Sequence, residues 1–206
     1  MTWKYNPFTG EIDYYSNELS TLIIDADKDW QGKIITNLAI KVMNDQWTSP
    51  AGIKAPGTKP ATWIEWGISG VWQFADGDDE TVVITYRVPH RMDRSVAPHF
   101  HVKWSTTGID AGNCEWQLEY LWRSPGEDTK ANAQDTENII VAGSGVAANG
   151  LVVSDTLGLD LPSATDNILL VRVKRLAAGG NDTIVGTAEL HGVNLHFTSN
   201  RLGLPI

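Results

Sequence analysis

Cysteine is nearly missing from this sequence. The single thiol, Cys114, has no intrachain partner, so a disulfide scaffold is excluded, and no spacing of Cys and His suggests a zinc or iron–sulfur site. Long apolar runs are missing too: no stretch approaches the roughly 20 residues that cross a bilayer, and the first residues lack the basic-then-apolar order of a signal peptide. Positive charge is in short supply. Sixteen Lys and Arg stand against 25 Asp and Glu, giving a net charge of −9 and a pI near 4.9, a balance that repels phosphate and argues against nucleic acid as a partner. Helical periodicity is scarce, and the glycine-rich run AGSGVAANG is followed by no Gly-Lys-Ser/Thr, so it reads as a connection and not as a phosphate loop.

Tryptophan is abundant, with nine in 206 residues. Trp suits both β-sandwich cores and interface anchors. From Trp63 onward, short apolar runs alternate with turn signals, the pattern of an all-β protein. In CEWQLEYLW, Cys114, Trp116, Leu118, Tyr120 and Trp122 share one strand face, and Glu115, Gln117, Glu119 and Leu121 the other. In PHFHVKW, Phe100, Val102 and Trp104 alternate with His99, His101 and Lys103. ADGDDE reads as a hairpin loop between WQF and TVVITY, and Ala178 to Asp182 as the loop joining NILLVRVKRL to TIVGTAELHGVNLHF in one sheet. Six or seven strands over 63–198, with long connections at 123–137 and 143–150, predict a jelly-roll-like antiparallel β-sandwich over 63–206 with an extended N-terminal arm and stem.

Residues 16–62 read differently. SPAGIKAPGTKPAT has the composition of a linker, and Leu22, Ile24, Trp30, Ile35 and Leu38 sit in a piece too short to enclose them. Burial against copies of the same segment is the expected solution, so 16–62 is expected to be a stem that forms a homotrimer.

The opening, MTWKYNPFTGEIDYY, places five aromatics where chain ends are usually polar. Asn6-Pro7 and Thr9-Gly10 favour turns, and Glu11 to Tyr14 alternate like a strand. Residues 1–15 are therefore expected to dock on another protein's sheet edge through Trp3, Tyr5, Asn6, Pro7, Phe8, Thr9, Gly10, Ile12 and Tyr14.

Asn6-Pro7-Phe8-Thr9-Gly10-Glu11-Ile12-Asp13 resembles the NPFTGxLD peptide near the start of many tailed-bacteriophage virion proteins. Asp29 to Leu38, DWQGKIITNL, resembles a D(M/W)NGxxITNL segment of phage tail-fibre and appendage proteins, with Gln31 in place of the usual Asn. PHFHVKW followed by WQLEYLW is similar to a pattern of phage structural domains. The resemblance implies a virion structural protein, made in the host cytoplasm and partnered by itself, by other virion proteins and by a host surface. A tail fibre, spike or adaptor subunit is the first expectation. Capsid decoration and host-glycan binding are the alternatives.

His99 and His101 share a strand face, which suits a metal, yet the Glu of cupin-type sites does not follow; a solvated pair or one facing a trimer axis is the expectation. Asp76 to Glu80 lacks calcium-loop spacing and reads as a solvated acidic tip. Cys114 on an apolar face reads as inert packing, and nothing singles out Glu115 and Glu119 as a glycosidase pair. No catalytic residue, metal or cofactor is expected.

Overall fold

The structure, a computed structural model, describes residues 2–5, 12–15, 42–108, 112–128, 130, 135–142, 148–154, 157–163 and 168–199. The chain divides into two compact units, Met1–Leu38 and Ala39–Ile206. In the first, β1 (Thr2–Tyr5) and β2 (Ile12–Tyr15) pair antiparallel with each other, Trp3 opposite Tyr14 and Tyr5 opposite Ile12. Of the expected docking residues, Asn6 to Gly10 lie outside the described residues, as do Leu22, Ile24, Trp30, Ile35 and Leu38 of the expected trimer contact.

The second unit is all-β, with no α-helix among the described residues. Its strands are β3 (Val42–Thr48), β4 (Thr62–Trp66), β5 (Ser69–Phe74), β6 (Thr81–Arg87), β7 (His99–Thr106), β8 (Asn113–Arg123), β9 (Asp135–Ala142), β10 (Val152–Val153), β11 (Leu157–Gly158), β12 (Ile168–Arg175) and β13 (Ala188–Ser199). They form a jelly-roll-like sandwich of two antiparallel sheets. One sheet runs β6-β12-β8-β9. The other has seven strands centred on β13, which pairs with β7 along one edge and with β5 and then β3 along the other, while β10 and β11 extend the β7 side and β4 borders β5.

Period-two patterning explains the core. Phe100, Val102 and Trp104 of β7 and Leu190, Val193, Leu195 and Phe197 of β13 face Trp116, Leu118 and Tyr120 of β8 and Leu169, Val171 and Val173 of β12, all nearly inaccessible to water. Aromatic edges interlock across the layers: Trp116 meets Phe74 at 5.1 Å and Trp104 at 6.1 Å, and Tyr86 meets Phe100 at 6.0 Å. One charged pair lies in this dry interior, Arg175 with Asp182 at 2.9 Å.

Three expectations change here. The division falls after Leu38, not after residue 62, because β3 is a full member of the seven-stranded sheet. The stretch with linker composition is fastened to β6 by backbone bonds of Lys54 with Val83 and of Lys59 and Ala61 with Thr81. ADGDDE is not a hairpin loop, since β5 and β6 belong to opposite sheets, and the 178–182 connection likewise passes from one sheet to the other. Turn-rich residues serve a hairpin and a sheet-to-sheet arch equally well, and local sequence does not choose between them.

Candidate functional site

The face of the seven-stranded sheet turned away from the core holds an unusual set of side chains. β13 breaks register at Leu190/Gly192, and the bulge places His191 and Gly192 side by side. Gly192 has φ 149°, and a Cβ there would lie 2.3 Å from the ring of Trp47 and 2.7 Å from the Thr48 carbonyl oxygen. Only glycine lets the Trp47 indole lie down on this strand. Trp47 keeps 48% of its surface exposed, and Lys103 Nζ sits 4.7 Å from its ring centroid.

Around this platform stand Asp45, His99, His101, Asn194 and His196. The His101 and His196 rings are 4.5 Å apart. His101 Nδ1 is 2.9 Å from the Ser154 carbonyl, so that nitrogen is the donor. His196 bridges Asp45 Oδ1 (3.4 Å from Nδ1) and Asn194 Nδ2 (3.5 Å from Nε2), as a neutral ring with its proton toward the carboxylate would. His99 Nδ1 and Asn194 Oδ1 have no protein partner.

Beyond the bulge, His191 Nε2 lies 2.8 Å from Ser105 Oγ and its ring meets Trp66 edge-on at 6.2 Å. Glu189 is 0% exposed; its Oε1 accepts from Thr187 Oγ1 at 2.6 Å and Gln73 Nε2 at 3.5 Å, and burial raises its pKa.

Burial also lowers the pKa of His191, and of His196, where the charges of His101, Lys103 and His99 lower it further against the pull of Asp45. A histidine whose folded pKa lies below its unfolded value binds fewer protons when folded, so its stability contribution is lost as pH falls through the ordinary value of 6.5 and below. Unfolding free energy is therefore expected to fall between about pH 7.5 and 5.5, and the slope to shrink in H191Q and H196Q. Glu189, raised, acts with the opposite sign. Equal slopes in wild type and both variants, measured by urea unfolding, would contradict this.

Other sequence candidates are engaged elsewhere. His99 and His101 do share the outer face of β7, but among the described residues no three His, Cys, Asp or Glu converge to hold a metal. The acidic loop is not simply solvated: Asp79 pairs with Lys174 at 3.1 Å and accepts from the Ala178 N–H, while Glu80 accepts from the Ala75 N–H at 2.7 Å. Glu119 pairs with Arg172, and Glu115 accepts from Asn138 and Asn181. Cys114 is fully buried, and burial pushes its thiol well above the ordinary range.

No family model and no curated protein matches the chain. Solved structures are similar to it at low identity. A xylan-binding module CBM15 is 13% identical over 79% of this chain and 99% of that one, with a TM-score of 0.44. The K3 cleaved adhesin domain of Lys-gingipain from Porphyromonas gingivalis is 15% identical over 75% of this chain and 99% of that one, TM-score 0.40. An exo-β-1,3-galactanase from Phanerochaete chrysosporium is 11% identical over 72% of this chain, which spans 28% of the enzyme, TM-score 0.41.

Sequence reasoning missed Trp47, Trp66, His191, Gly192, Asn194 and His196. One signal was available: an isolated glycine inside the strand HGVNLH marks a bulge or a close approach of another group.

Proposed function

We propose that this chain is a non-enzymatic virion protein of tailed-phage type whose sandwich holds a host-surface glycan on the outer face of the seven-stranded sheet. The observation that carries the reading is the Trp47 indole lying on Gly192, half exposed, amid side chains that both donate and accept hydrogen bonds. The apolar face of a sugar ring stacks on such a platform, and its hydroxyls find Asn194, His196, Asp45 and Lys103. The absence of chemistry is supported by the buried Cys114 and by the ion pairing of Glu119.

The virion setting is supported by the N-terminal motifs. Within it, an appendage subunit, trimeric through stem residues such as Leu22, Ile24, Trp30, Ile35 and Leu38, fits a glycan-binding face better than capsid cement does. Deleting residues 1–15 is expected to abolish incorporation into particles and to leave glycan binding intact.

The binding test is a glycan array followed by affinity electrophoresis of variants. Trp47→Ala is expected to weaken binding by about 2 kcal/mol, about thirtyfold. Trp63, whose ring likewise lies over a glycine, Gly70, but beside the core residue Trp72, is the control, and W63A is expected to bind normally. Binding lost in W63A and kept in W47A would move the site. Binding of no glycan at all would remove this reading.

A further inference from the structure

Three imidazoles crowd one end of the Trp47 platform. His99 and His196 are register partners on β7 and β13, and His101 is the register partner of Asn194, one pleat along. The groups facing them are few. Among the described residues, β7 adds Lys103, β3 adds Asp45, β13 adds Asn194, and the segment on the far side of β7 adds the Ser154 carbonyl. Among the described residues, one fixed cation, Lys103, and one carboxylate, Asp45, face the rings. Each proton taken up by an imidazole of this patch adds a positive charge there, with Asp45 the carboxylate facing the rings among the described residues, on a protein whose net charge is −9.

We infer that this patch, if Trp47 is the sugar platform proposed above, is an acid-switched subsite for an anionic glycan, one whose carboxylate or phosphate group lies against His99, His101 and His196 beside Lys103. Three features support it beyond the histidine count. The buried His99 Nδ1 and Asn194 Oδ1 atoms have no protein partner, which leaves part of the hydrogen-bonding capacity of the patch unmet. His101 and His196 sit 4.5 Å apart, so protonating both is opposed unless an anion arrives with the protons. The lowered pKa of His196, set first by burial and then by these neighbouring charges, has the same consequence: binding the anion draws protons onto the patch. A rise of about one unit in one ring's pKa on binding corresponds to about tenfold tighter binding at acidic pH.

The test uses the full chain on an array carrying neutral glycans and glycans bearing uronate, sialate or phosphate groups, at about pH 7.5 and about pH 5.5 and constant ionic strength. Wild type is expected to gain about tenfold for acidic glycans on acidification and to hold neutral ones unchanged. The combined variant H99Q, H101Q, H196Q is expected to lose the gain, and W47A to lose both classes. In wild type, which needs no altered fold, the ring C–H resonances of the histidines are expected to titrate at higher pH once the acidic glycan is bound. No gain for acidic glycans, a gain that survives the triple substitution, or unmoved histidine titrations would overturn the inference while leaving neutral-glycan binding in place. Binding of no glycan at either pH would overturn the functional reading as well. A response confined to uronate and sialate or to phosphate identifies which anion the patch takes.

Discussion

Arg175→Ala is expected to lower the unfolding free energy by about 3–5 kcal/mol, and Asp182→Ala by a comparable amount. The Arg175 side chain is 0% exposed and every N–H of its guanidinium is used. Nε and Nη2 grip Asp182 with two bonds at 3.0 and 2.9 Å, Nη1 donates to the carbonyls of Phe74, Ala75 and Gly186, and Nη2 also donates to that of Ile184. Burial alone would lower the pKa of Arg175, but the hydrogen bonds and charge of Asp182 more than offset it, so the group stays charged. Asp182 in turn accepts from the Glu115 N–H. The pair thus joins the end of β12, the start of β8, the end of β5 and the arch into β13. Removing one partner leaves a buried charge without its counterpart. Removing both in R175M with D182N relieves the charge but takes the guanidinium donors from four carbonyls, the contacts of Phe74 and Ile184 buried and those of Ala75 and Gly186 part-buried, so it is expected to recover less than half of the loss. Urea unfolding of the three variants checks this. An R175A protein within about 1 kcal/mol of wild type would contradict the role assigned to the pair.

The same pair shows where reading the sequence stops. Lys174 and Arg175 stand together in NILLVRVKRL, and alternation alone puts Arg175 on the side of Leu169, Val171 and Val173, where a charge is not expected. Its partner is in the turn-rich segment after the strand, whose composition gives no hint of burial. β7 and β8 were legible because each has one apolar face and one mixed face, so period two is unambiguous. β3 was not. Its exposed residues Met43, Asp45 and Trp47 alternate with Asn44, Gln46 and Thr48, so neither side is uniformly apolar and the strand is held mainly by backbone pairing to β13. That obscured the candidate site too, since Trp47 becomes a platform only through a bulge near the other end of the chain. The histidines of β7 were visible as a pair, whereas the third ring, His196, joins them through strand pairing that local sequence does not encode.

Trp116→Ala is expected to cost about 3–5 kcal/mol, the range for deleting a large buried aromatic side chain. Trp116 projects from the four-stranded sheet into Phe74 and Trp104 of the other, so truncation opens a cavity between the layers that neither sheet closes without breaking its ladder. Trp116→Phe separates shape from chemistry. The Trp116 Nε1 atom is buried without a hydrogen-bond partner, as is that of Trp104, and an unpaired buried donor costs about 1–3 kcal/mol. Phenylalanine removes that donor while retaining part of the ring, so W116F is expected to lose less than about 2 kcal/mol, with W104F behaving alike. Trp104 alternates along β7 with His101 and Lys103, so a core that keeps its spacing keeps the outer face in register, and W116F should match wild type in the glycan binding proposed above. Chemical denaturation and one binding isotherm for each variant decide the matter. A W116F protein as unstable as W116A would mean that the exact indole shape, and not filled volume, holds the two sheets at their distance.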